Sequence, residues 1–149
     1  LGHPVRLPQG GLTMLALEAP LKARLQALPQ LTGWAVRMGT EHADRRVVPA
    51  ADVRCAGAAV ADRKAGAVMV APEWQVTLVL RRGDDAATLL DAAMAAVITS
   101  LHNWQPGQCG GRGWEPWQLA RITEPLLSDD GLTGYELTFS TGARYMGQQ

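Results

Sequence analysis

The apolar positions of this chain recur with different periods in different stretches, and the periods predict its elements. Leu17, Leu21, Leu25 and Leu28 are spaced by four, four and three residues, which lines one face of a helix. A first helix is expected over residues 18–28. Pro20 suits its first turn, Lys22, Arg24 and Gln26 fall between the leucines, and Pro29 ends it. Residues 34–37 read as a short strand. Residues 39–49 read as an exposed loop, because Glu41, His42, Asp44, Arg45 and Arg46 leave it little apolar content. Strands are expected over 53–61 and 67–70, joined by the polar connection Asp62, Arg63, Lys64 and Gly66.

The clearest alternation is in residues 73–82, where Trp74, Val76, Leu78 and Leu80 alternate with Gln75, Thr77 and Arg81. Pro72 and Gly83 punctuate that strand on either side. Asp84 and Asp85 then offer a cap for a long second helix, in which Leu90, Met94, Val97 and Leu101 recur at helical spacing beside Leu89, Ala93 and Ile98. Residues 104–116 carry Pro106, Gly107, Gly110, Gly111 and Gly113 and are expected to be irregular. Two closing strands, 117–124 and 132–141, flank Asp129, Asp130 and Gly131. The expected fold is α+β: a single domain with a mainly antiparallel sheet, two helices packed on one face and a C-terminal β-hairpin. It is expected to span residues 14–149, with 1–13 a flexible arm or an added remnant.

Composition narrows the functional classes. At 149 residues the chain has the length of one ordinary domain, and 47% apolar against 19% charged residues suits a folded core. Fourteen basic side chains balance fourteen acidic ones, so no net field draws it to nucleic acid or an anionic membrane. The longest apolar run, residues 92–98, is far too short to cross a bilayer. Cys55 and Cys109 read as free buried thiols in a reducing compartment.

Reactive chemistry finds little support. His3, His42 and His102 lie in unrelated settings, and Ile98 stands where a helical ligand pair with His102 would need a second donor. No metal site and no cofactor are expected. Neither cysteine has a neighbouring base, no G-x-S-x-G motif is present, and no catalytic residue is assigned. The glycine-rich run 107–113 lacks the Lys-Ser/Thr of a phosphate loop and follows a helix instead of a strand. Trp104, Trp114 and Trp117 with Arg112 could stack bases, but the neutral composition favours a core edge or a protein interface.

Four phrases resemble one family: the helix 21–28, E-W-Q-V-T-L-V-L-R-R from Glu73, L-L-D-A-A-M-A-A-V-I-T-S-L-H-N-W from Leu89, and G-Y-E-L-T-F-S-T from Gly134. Together the chain resembles the tail terminator proteins of long-tailed phages, the lambda-like and Mu-like minor tail proteins. The resemblance implies an α+β fold, a hexameric homo-oligomeric ring, and a place on the head-proximal end of the tail tube. There it would stop tube growth and join the tail tube protein to a head-tail connector. It also implies a location in the virion tail, with assembly in the host cytoplasm. Asp44, Arg45, Arg46, Arg54, Arg63, Lys64, Arg112 and Trp114 are the residues expected to meet partners. The competing readings are a head-closure or connector protein, a tryptophan-based nucleic-acid module, and an enzyme combining His102 with Cys109 or Asp91.

Overall fold

The computed structural model describes residues 14–64 and 66–148, and the stretch 1–13 lies outside the described residues. Helix α1 (Glu18–Gln26) follows a 3-10 turn at Met14–Leu17 and precedes another at Pro29–Leu31. The helix stops before Leu28, whose extended backbone leads into Pro29. Leu17, Leu21 and Leu25 are fully buried, as their spacing requires.

Six strands form the main sheet: β1 (Ala35–Met38), β2 (Ala50–Lys64), β3 (Ala67–Arg81), β6 (Gln118–Thr123), β7 (Leu132–Ser140) and β8 (Ala143–Met146). Their order is β1-β2-β3-β7-β6, with β8 beside the outer half of β3. All pairs are antiparallel except β1 with β2. Helix α2 (Ala86–Leu101) and α1 pack on the face that carries Val53, Trp74, Val76, Leu78, Leu137 and Phe139. The layout is thus a single α+β domain with both helices on one side of the sheet. The closing hairpin β6–β7 is present, and it is followed by β8, a strand beside β3 that the residues 143–146 alone did not suggest.

Three expectations change. First, the two separate strands expected at 67–70 and 73–82 are one strand, β3, which runs through Pro72. Proline has no N–H to give a ladder. Pro72 sits where β3 changes partner, from Ser140 of β7 opposite Glu73 to Ala143 of β8 opposite Val70, so a missing donor costs little there. Second, residues 107–114 are not irregular. They form a small hairpin, β4 (Gly107–Cys109) with β5 (Arg112–Trp114), turned by Gly110 and Gly111 at φ of 64° and 77°. Two successive positive φ angles make the tight turn that suits strand twist, and glycine adopts them without strain. Third, Leu89 points outward at 46% exposure, and Asp85 stands at the α2 N-cap without a side-chain cap bond.

Among the described residues the other face of the sheet carries no helix, and one buried cation organises its edge. Arg37 is buried on β1 and donates from Nε and Nη2 to the Asp52 carboxylate, at 2.5 and 2.8 Å. Its Nη1 donates to the carbonyls of Asp44 and Val47, at 2.6 and 2.8 Å. A planar guanidinium can serve all four acceptors at once. This folds the loop 39–49 back on the sheet and allows β1 to lie parallel to β2 after so short an excursion.

Candidate interaction surfaces

Helical and strand periods bury the aromatic residues, which leaves the sheet edges and loops as the surfaces with unsatisfied potential. Trp117 stacks on Trp74 at 6.0 Å between centroids and tilts against Trp104 at 5.0 Å and Phe139 at 6.1 Å. Trp74 and Trp117 are fully buried, and Trp114 is nearly so, its indole N–H donating to the Cys109 carbonyl at 2.9 Å. Trp114 therefore holds the β4–β5 hairpin shut from inside and presents no ring to a partner. The same burial removes Trp114 and Trp117 from any base-stacking platform. Trp104 is partly exposed, with the Arg24 guanidinium 5.2 Å from its ring centroid.

The loop 39–49 carries three of the residues expected at an interface, and they differ in how they are held. Arg45 is tied inward, donating to the carbonyls of Met38 and Glu41 at 3.0 Å each and to Asp52 at 3.2 Å. Arg46 is 92% exposed and pairs with Asp44 across a two-residue turn. Hydrogen bonds from Arg46 hold the Asp44 carboxyl below the usual carboxylate range, and Lys22 does the same for Glu41. Such exposed pairs contribute little to stability, so their value is in the charge pattern they display.

Arg54 lies on the open face and donates to Gln75 at 2.8 Å. On the same face Thr77 donates to Glu136 at 3.2 Å, and Arg121 donates to Glu73 at 3.0 Å. Arg112 packs its guanidinium 3.3 Å from the Tyr145 ring centroid and donates to the Arg144 carbonyl at 3.0 Å, joining β5 to β8. Arg63 and Lys64 fall at the tip of the β2–β3 hairpin, remote from the loop 39–49 along β2. The eight residues thus occupy a loop, a sheet face, a hairpin tip and a small hairpin.

The side chains weighed for catalysis have different partners. Asp91 and His102 lie eleven positions apart along α2, roughly 16 Å at the helical rise. Asp91 borders a groove of about 410 Å³ with Arg82, Leu90, Met94 and Tyr135. His102 accepts the Leu119 N–H at its Nδ1, at 3.0 Å, and so fixes the start of β6. Cys109 reaches the Ala16 carbonyl at 3.4 Å, and burial raises the pKa of both cysteine thiols, which weakens them as nucleophiles. Among the described residues no group of His, Cys, Asp and Glu is arranged to hold a metal ion. No described helix is long and apolar enough to cross a membrane.

What reasoning on the sequence missed is the length of the β2–β3 hairpin. Both strands have 15 residues, and their outer halves run past the helices as an arm. In β2 the residues 56–61 are exposed throughout. An uncharged run of small residues, Ala56, Gly57, Ala58 and Ala59, was the available signal.

No family model matches the chain, and no curated protein matches it. Among solved structures it is similar to a chain described as "Virion of native gene transfer agent (GTA) particle", with 20% identity and a TM-score of 0.62. The likeness covers 86% of this chain and 94% of that one, so the overall fold is one also found in a chain of that particle.

Proposed function

We propose that this chain is a structural protein of a phage-like particle and acts as its tail terminator. In this role a ring of copies, six by the family resemblance, closes the head-proximal end of the tail tube. It ends tube growth and presents a surface to the head-tail connector. The observation that carries the reading is the likeness, over nearly the whole of both chains, to a protein of a gene transfer agent virion. The sequence phrases from Glu73, Leu89 and Gly134 point to the same class of particle and add the position within it.

The surfaces agree with a role in assembly. Catalysis needs convergent groups with matched proton affinities, whereas His102, Asp91 and Cys109 each engage a different part of the chain. A ring needs two different surfaces that repeat head to tail, and the sheet has unlike edges, β1 with the part of β2 beyond Val53 on one side and β6 on the other. Arg46 with Asp44, and Arg54 on the open face, supply exposed polar pattern for register against the tube or a neighbour.

Deleting the gene in the producing cell and imaging the products tests the reading. The expected products are tubes of irregular, extended length that carry no heads. Tails of normal length joined to heads would refute a terminator. Tails of normal length beside unattached heads would place the chain in the head-closure joint instead.

A further inference from the structure

Strand β2 is paired on its outer side only at its foot. There β1 covers Ala50 to Val53, and among the described strands nothing borders that edge from there to Lys64. Residues 56–61 are exposed and read Ala-Gly-Ala-Ala-Val-Ala, with neither charge nor proline. Open edges present rows of unpaired N–H and C=O groups, and folded proteins usually blunt them with lysine, proline or a covering element.

The direction of the unpaired groups follows from the pairing at the foot. The Ala35 N–H of β1 donates to the Pro49 carbonyl, and backbone groups alternate sides along a strand, so Ala51 and Val53 also turn theirs outward. Both carry their side chains on the helix-bearing face. Beyond the irregularity between Cys55 and Gly57, Ala58 pairs with Pro72 and Val60 with Val70. Those partners share the parity of Trp74 along β3 and so lie on that same face. In a strand of given direction the face of a side chain fixes the edge to which its backbone groups point. Ala58 and Val60 therefore aim their N–H and C=O groups at the open edge.

The described chain starts at the foot of this edge. Met14 Sδ lies 3.9 Å from Cys55 Sγ, and Glu18 accepts from the Thr40 hydroxyl just past the end of β1. The thirteen residues before Met14 read L-G-H-P-V-R-L-P-Q-G-G-L-T. A segment that lies along β2 and arrives at Met14 runs towards the foot, so its pairing with β2 is antiparallel. In such a pair each residue turns its N–H and C=O to one side, and its neighbours turn theirs to the other. Pro4 and Pro8 have the same parity. A strand that bonds β2 through His3, Val5, Leu7 and Gln9 thus needs no N–H from either proline. Residues that exchange bonds across an antiparallel pair share a face, which puts Val5 and Leu7 beside Ala58 and Val60 and Arg6 on the opposite face. Seven extended residues span about 24 Å and six about 20 Å, so 3–9 suffice to cover 56–61, and Gly10 and Gly11 supply a joint to Met14.

We propose that residues 3–9 complete the sheet of their own chain, as a strand antiparallel to β2 along its open edge, with Val5 and Leu7 beside Ala58 and Val60. The apolar pair covers Val60, which is otherwise 46% exposed. The new outer edge carries two prolines, which bar further pairing there.

Hydrogen exchange and methyl NMR on the full chain test it. The Ala58 and Val60 amides are expected to exchange roughly a hundredfold slower than unprotected ones, at rates independent of protein concentration, with NOEs joining the Val60 methyls to Val5 or Leu7. Val5→Pro with Leu7→Pro removes the inward donors and is expected to return both amides to unprotected rates while Val76 and Leu137 stay slow. Arg6→Pro removes an outward donor and is expected to leave all four slow. Fast exchange at Ala58 and Val60 in the wild type, or slow exchange without those NOEs, overturns the proposal. Protection that rises with protein concentration also overturns it and assigns the edge to a second copy. Equal effects of Arg6→Pro and the double variant overturn the alternation on which the strand is built. If the double variant does not fold, the wild-type exchange rates and NOEs decide alone.

Discussion

Trp117→Ala is expected to lose about 4 kcal/mol of folding stability, since truncating a fully buried tryptophan removes its transfer energy and leaves a cavity. Trp117 is in the middle of the aromatic cluster, touching Trp74, Trp104 and Phe139. Aromatic pairs add about 0.5–1.5 kcal/mol each beyond area. The residue also joins two parts of the chain. Its backbone N–H donates to the Trp104 carbonyl at 2.8 Å, and its carbonyl accepts from the Asn103 N–H at 2.6 Å, so the backbone at this position ties the end of α2 to the start of β6. For a domain of this size the loss should lower the melting temperature by roughly 10 °C. Urea unfolding followed by circular dichroism measures it. A loss under about 1 kcal/mol would show that the cluster does not hold the sheet to the helices.

Gly134→Ala is expected to cost about 3 kcal/mol, a large effect for one methyl group. Gly134 is buried in β7 opposite Val79, and a Cβ placed there would stand 2.1 Å from the Leu78 carbonyl oxygen. Backbone cannot yield as a side chain does, so β3 and β7 would have to separate at the centre of the sheet. Gly142→Ala is the control. Its Cβ would meet the tips of Glu115 and Met69 at 3.0 and 3.2 Å, and flexible ends can move. That variant should change stability by less than about 1 kcal/mol. Equal losses from the two substitutions would show that backbone approach at Gly134 is not the cause.

Elements with strong periodicity were legible in the sequence. In α2 the recurrence of Leu90, Val97 and Leu101 marked the buried stripe, and alternation from Trp74 to Leu80 marked the core half of β3. The outer halves of β2 and β3 were read short for a physical reason. An arm beyond the core has no buried face to impose alternation, and Pro72 imitates a strand end while sitting at a change of partner. The β4–β5 hairpin was hidden because Gly110-Gly111 is both a loop signal and a tight-turn signal.

Surfaces were less legible than the core. Charge marked Arg45 and Arg46 alike, yet the fold holds Arg45 inside its loop and leaves Arg46 outside. Trp114 carries no sequence mark that separates an interface ring from a core ring, and its burial emerges only when β5 closes on β4. Arg37 was passed over for the opposite reason: a lone arginine between Val36 and Met38 looks like an outward strand residue. It is instead the donor that gathers Asp52 and the loop carbonyls.

The central claim is that this chain works by its place in a particle, through contacts with copies of itself and a tube. Locating it within the particle tests that most directly, by cryo-electron microscopy of tails that carry a density label on the chain. The expected result is a closed ring of labels at the head-proximal end of each tube. Particles that lack the label altogether, or carry it at another site, would contradict the claim.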